Sequence, residues 1–218
     1  MNPARGCFVV LEGPDGAGKS TLAAGLAARM RRAGLDPLLV REPGGTPVAE
    51  ALREELLHDV REWTAEAELL YMVTARADLV AKVIRPALAA GRLVISDRFD
   101  LSTMAYQGAG RGLPIDQVRW LNAAATGGLV PDATLVLDVD PATGAERQLK
   151  AGKRLDRLER EDAEFQHRVV AAYLAASGPG VHHLQGGASP EAVLDAAWQR
   201  LQGVRPDIFR PAPEQGVR

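Results

Sequence analysis

The feature that most constrains the fold lies near the N-terminus, in Gly13-Pro14-Asp15-Gly16-Ala17-Gly18-Lys19-Ser20, a GxxxxGK[ST] pattern. The apolar run CFVVLE precedes it and reads as a buried strand. Helical periodicity follows from about Lys19 to Arg32, closed by Gly34. Glycines let the backbone curl so that several N–H groups converge on one anion. The helix N-terminus adds positive potential, and lysine adds a mobile charge. A glycine-rich turn that holds no nucleotide is the plain alternative, but the flanking strand and helix are what a polyphosphate cradle requires. The pattern therefore predicts a nucleoside triphosphate held by Gly13, Pro14, Asp15, Gly16, Ala17, Gly18, Lys19, Ser20 and Thr21, with the Ser20 hydroxyl placed to ligate Mg²⁺.

Strands and helices alternate along the rest of the chain. PLLVRE, RLVISD, TLVLDVD and VHHLQ read as further strands. VAEALREELLH, AEFQHRVVAAYLAAS and PEAVLDAAWQRL read as helices, the last with Ser189 as N-cap and Pro190 in its first turn. The long stretch AEAELLYMVTARADLVAKVIRPALAAG is helical and is expected to end or kink near Pro86. Such alternation means an α/β fold: a P-loop three-layer sandwich, with a central parallel sheet between helices. Residues 1–203 form one domain, with a short mobile lid at about 150–162. The Pro-rich text from 204 to 218 reads as a loose tail.

Composition narrows the partners. With 26 basic and 28 acidic residues the formal charge is −2, so no global basic field argues for nucleic acid. The single cysteine, Cys7, excludes a disulfide framework and reads as a buried small residue. No signal peptide or membrane span is evident, and a cytoplasmic location is the default. The four histidines show no metal-ligand spacing, and one of His182 and His183 is expected to face solvent on a strand.

No NKxD segment is present, which argues against a guanine-specific GTPase. A small P-loop chain with a basic segment late in the sequence suggests a kinase of a small substrate. Four segments supply the remaining chemistry: REPGGT from Arg41, TAR from Thr74 to Arg76, DRFDLSTMAYQGAGRG from Asp97, and KAGKRLDRLERED from Lys150. Three of them flank strand ends, where ligands gather in open α/β sheets. Arg76 projects from an apolar helix, and a buried guanidinium needs a partner.

Taken together, the P-loop, REPGGT, DR…S..AYQG.GRG and LDR.E resemble the bacterial thymidylate kinases from about residue 7 to 201. That resemblance implies transfer of the ATP γ-phosphoryl group to dTMP, with Mg²⁺ as cofactor and a homodimer packed through helices. The alanine-rich helix around Ala75 to Ala90 offers one such face. The resemblance assigns Lys19 and the loop amides to the ATP phosphates. Asp15 falls beside the deoxyribose 3′-hydroxyl, and Asp97 in the metal shell. Arg98 falls on the acceptor phosphate, and Arg53, Met72, Arg76, Thr103, Tyr106 and Gln107 around the acceptor nucleotide. A structural salt bridge is the alternative for Arg76, and a core tyrosine for Tyr106.

Three positions depart from the family pattern. Met72 stands where a phenylalanine commonly stacks on thymine. Phe99 stands in place of a polar third residue of the DR motif. Gly16 stands where some members carry a catalytic arginine. A cation from the lid is then expected, Lys153 or Arg154, with Arg157 pairing locally and Glu159 near the metal. A kinase of another deoxynucleotide and a non-catalytic P-loop switch are the competing readings.

Overall fold

Five parallel strands, β1 (Cys7–Glu12), β2 (Leu38–Arg41), β3 (Leu93–Asp97), β4 (Ala133–Asp138) and β5 (Val181–Gln185), pair in the order β2-β3-β1-β4-β5. This computed structural model describes residues 6–58, 62–150, 152 and 155–209. β1 is buried along its whole length, and its side chains alternate between two cores. Cys7, Val9 and Leu11 face one helical layer, where Leu22, Leu26, Met30, Trp198 and Leu201 pack. Phe8 and Val10 face the other, with Leu79, Ile84 and Phe99. The three-layer sandwich follows from that alternation.

Strand order reverses at β1, whose neighbours are β3 on one side and β4 on the other. Crossovers leaving in opposite directions open a crevice beyond the carboxyl ends of the strands. Leu11 lies opposite Asp97, so the glycine loop and the DR segment emerge side by side.

Helix α1 (Lys19–Arg32) follows the glycine loop, and α2 (Pro47–His58) follows β2. α3 (Ala65–Leu79) passes through a π-helical turn at Val80–Ile84 into α4 (Arg85–Ala89). Pro86 has no N–H to give and crowds the preceding turn. The helix widens ahead of it and continues to Ala89 instead of ending. α5 (Asp100–Thr103) runs into a second π-helical segment, Met104–Gly110, which carries Tyr106 and Gln107. α6 (Ile115–Thr126), α7 (Pro141–Lys150), α8 (Ala163–Leu174) and α9 (Pro190–Val204) complete the layers. Ser189 caps α9 by accepting the Ala192 N–H at 3.2 Å.

One expectation is corrected. Packing continues past Gly203: α9 runs to Val204, and the buried Phe209 ring meets Trp198 edge-on at 5.5 Å. A single aromatic among prolines was enough to extend the core. His183 on β5 keeps 33% of its side chain exposed, and its ring bonds Asp138 at 2.8 Å and the Ala176 carbonyl at 2.7 Å. Cys7 is buried in β1 as expected.

Candidate active site

A cleft of about 580 Å³ opens at the strand ends. The glycine loop lines one side, and the residues that follow β2 and β3 line the other. Gly13, Gly16 and Gly18 hold left-handed backbone at φ 135°, 76° and 96°, which lets the loop wrap back on itself. The Lys19 amine donates to the carbonyls of Gly13 and Pro14 at 2.9 and 2.8 Å. Burial, reinforced by the Arg98 charge, pushes that amine down to about 8.

Ser20 Oγ donates to Asp97 Oδ2 at 2.8 Å. A hydroxyl and a carboxylate side by side form a hard oxygen pair. Mg²⁺ suits such a pair, because it keeps most of its waters and takes few protein ligands. Glu159 lines the same cleft as Ser20 and Asp97. Its Oε2 accepts the Asp156 N–H while Asp156 Oδ1 accepts the Glu159 N–H, a reciprocal cap that commits the carboxylate locally. Among the described residues no three His, Cys, Asp or Glu side chains cluster to hold a metal.

Beside the loop, Arg98 is the one non-glycine residue with left-handed backbone among those described, at φ 76°. Its guanidinium bonds Asp15, Tyr106 Oη (3.1 Å), Tyr173 Oη (3.0 Å), Ser102 Oγ (3.1 Å) and the Gly13 carbonyl (3.2 Å). Tyr106 Oη donates to Asp15 Oδ2 at 2.6 Å. Beneath them lies Glu12, wholly buried. It accepts the N–H groups of Phe99 and Ser102 and the hydroxyls of Ser102 and Tyr173. Burial raises its carboxyl, and the bond from Ser102 and the Arg98 charge oppose that rise.

Arg76 is buried and bonds Glu42 (2.7 Å), Thr103 Oγ1 (2.7 Å), Asn122 Oδ1 (2.5 Å) and the Phe99 carbonyl (2.7 Å). It therefore has the structural partner its burial demands, and it still lines the cleft beside Met72. Arg53 reaches the Pro43 carbonyl at 2.8 Å, and Gln107 donates to Glu68 at 2.8 Å; both line the same cleft.

The thymidylate kinase family model matches residues 11–196. A thymidylate kinase of Pseudomonas putida is 48% identical over 204 residues, 93% of each chain. One from Halorhodospira halophila is 50% identical over 179 residues, 80% of this chain and 83% of that one. The crystal structure of thymidylate kinase from Ehrlichia chaffeensis superimposes with a TM-score of 0.73 at 29% identity, covering 90% of this chain and 99% of that chain.

The chain belongs to the thymidylate kinase family.

As a thymidylate kinase it has two local peculiarities. Gly16 is pressed on by α7: a Cβ there would fall inside the carbonyl oxygen of Gly144, so the position held by arginine in some members has no room for a side chain. Arg157, expected to pair locally, instead reaches across the fold, donating to Glu68 at 2.7 Å and to the Leu56 carbonyl at 2.9 Å. Lys153 and Arg154 lie outside the described residues.

Sequence reasoning missed Glu12, Glu42, Glu68, Ser102, Tyr173 and Arg147, which lines the cleft from α7. A carboxylate closing an apolar strand (Glu12) or interrupting an apolar helix (Glu68) is the signal that marks two of them. Arg147 and Tyr173 sit in ordinary helical patterns and carry no such mark.

Proposed function

We propose that this chain works as a thymidylate kinase, transferring the γ-phosphoryl group of ATP to dTMP to give dTDP and ADP. The observation that carries the reading is one continuous cleft lined by the Lys19 phosphate loop and, abutting it, by the Arg98–Asp15–Tyr106 cluster.

The chemistry asks for positioning more than for proton transfer. An acceptor phosphate monoester has its second pKa at about 6, so its oxygen is already anionic near neutrality and needs no general base. That oxygen bonds to the γ-phosphorus as the bond to the β–γ bridging oxygen breaks. The loop amides and Lys19 hold the donor phosphates, and Arg98 holds the acceptor phosphate. Asp15 orients Arg98 and, with Tyr106, closes the sugar side. Mg²⁺ held through Ser20 and Asp97 would neutralise charge on the donor phosphates. Arg76, Thr103, Gln107, Arg53 and Met72 surround the acceptor base and sugar. Lys153 or Arg154 brings the lid charge.

The protein acts in the cytoplasm as a homodimer in this reading. No helix among the described residues is long and apolar enough to cross a membrane. Along the alanine-rich stretch Ala75 and Ala87 are buried inside the chain, while Ala81, Ala89 and Ala90 are exposed and free to face a second copy. Leu70 on α3 and Trp120 on α6, 52% and 68% exposed, are the apolar side chains that a second copy would cover.

Steady-state rates with ATP and a panel of dTMP, dUMP, dCMP and dGMP test the function. dTMP should give the highest kcat/KM, and ADP release should depend on the acceptor. Slow ATP hydrolysis indifferent to dTMP would mean a switch instead.

A further inference from the structure

The geometry assigns Glu68 as the positioning residue that decides which end of the Gln107 amide an acceptor base meets. The inference rests on the proposed placement of dTMP beside Gln107.

Glu68 lies on α3 and is buried. Three side chains converge on its carboxylate: Gln107 Nε2 at 2.8 Å, Arg111 through Nε and Nη2 at 3.2 and 2.9 Å, and Arg157 Nη2 at 2.7 Å. Burial alone would raise this carboxyl. The hydrogen bonds from Arg111 and Gln107, helped by the charges of Arg111 and Arg157, outweigh it and hold the group below its ordinary value. Glu68 is therefore an ionised carboxylate at neutral pH, able to accept hydrogen bonds and not to donate them.

That leaves Gln107 one orientation. Its amide must turn Nε2–H toward Glu68, because the flipped amide would set a carbonyl oxygen against a carboxylate. Gln107 lines the cleft, and among the described residues nothing donates to its Oε1. The acceptor site thus presents a fixed hydrogen-bond acceptor. A 2,4-dioxopyrimidine offers an imide N–H there, whereas cytosine offers a bare ring nitrogen, which is a second acceptor. Leaving a built polar group facing a like partner discriminates more strongly than a missing methylene does. Arg111 also bonds Glu161 at 2.6 Å, and the Arg157 N–H bonds the Leu57 carbonyl at 3.1 Å. The same carboxylate therefore ties the base side of the cleft to the return arm of the lid.

The test is a set of kcat and KM values for dTMP, dUMP and dCMP on wild type, Glu68→Gln, Gln107→Leu and the double variant, with ATP also varied. Glu68→Gln frees the amide to flip. It should lower the dTMP-over-dCMP ratio of kcat/KM by about 10-fold, through KM for dTMP, with KM for ATP unchanged. The dTMP-over-dUMP ratio should not move, because both bases carry the imide. The double variant should be no worse than Gln107→Leu, since both changes act through one hydrogen bond. A selectivity lost in Gln107→Leu but retained in Glu68→Gln overturns the Glu68 assignment and leaves the acceptor site standing. A selectivity retained in Gln107→Leu overturns both. Should Glu68→Gln fail to fold, a co-crystal of the wild-type enzyme with dTMP decides. The free end of the Gln107 amide, opposite the one at Glu68, within about 3.2 Å of the imide nitrogen supports the assignment, and that end meeting a base carbonyl in place of the imide nitrogen overturns it.

Discussion

Arg76 and Glu42 form a buried ion pair at the back of the acceptor cleft, with Nε 2.7 Å from Oε2 and each side chain at most 4% exposed. Two elements distant in sequence, α3 and the end of β2, meet through it. Among the described residues, three further bonds from the Arg76 guanidinium leave a single N–H uncommitted, and Glu42 Oε1 finds no hydrogen-bond partner. Buried pairs of this kind do more to specify an arrangement than to stabilise it.

The pair makes stability depend on pH. Burial raises the Glu42 carboxyl from 4.5 to about 7, against the pull of Arg76. Its folded value lies above its unfolded one, so the native state binds the proton more tightly between those limits. The contribution of Glu42 to stability therefore falls as pH rises from 4.5 to about 7 and is level above that. Thermal melts of wild type and Glu42→Gln across this range should differ in slope, with the slope from this group missing in the variant.

Arg98 combines charge with an awkward backbone. Arg98→Ala should lower kcat/KM by about 10²- to 10³-fold, the loss typical when one stabilising donor is removed from a transition state. Arg98→Gly should be equally inactive yet more stable than Arg98→Ala by roughly 1 kcal/mol, because glycine accepts a positive φ without strain. Denaturant melts paired with rates check both parts.

The contact between the glycine loop and α7 leaves no slack. Gly16→Ala should be destabilised by about 1–3 kcal/mol, as overpacking is, and should raise KM for ATP as α7 is pushed away. Gly187, which has open space around it, is the control. Gly187→Ala should stay within about 0.5 kcal/mol of wild type.

Gly203 sits inside α9 with nothing near its missing Cβ. Gly203→Ala should therefore stabilise the fold by roughly 0.5–1 kcal/mol through reduced freedom of the unfolded chain and better helix propensity. A melt at unchanged activity is the readout.

The lid charge is tested by Lys153→Ala and Arg154→Ala. At least one should lower kcat by about 10³-fold or more, the effect of withdrawing an arginine finger. Unchanged kcat in both would remove the lid from the chemistry.

Local pattern was enough for much of this protein. The glycine loop between β1 and α1, the alternation that gives a parallel sheet and the Ser189 cap of α9 all follow from side chains and neighbours within a few positions, or from motifs whose spacing is set by backbone geometry. Long-range contact decided the rest. Glu12, Glu42 and Glu68 are ordinary carboxylates in the chain and become hubs only when burial strips their water and forces them to find donors dozens of residues away. Phe209 lay in text that looked unstructured and was claimed by Trp198. In each case the deciding term is desolvation, which no stretch of sequence carries until the fold has chosen what covers it.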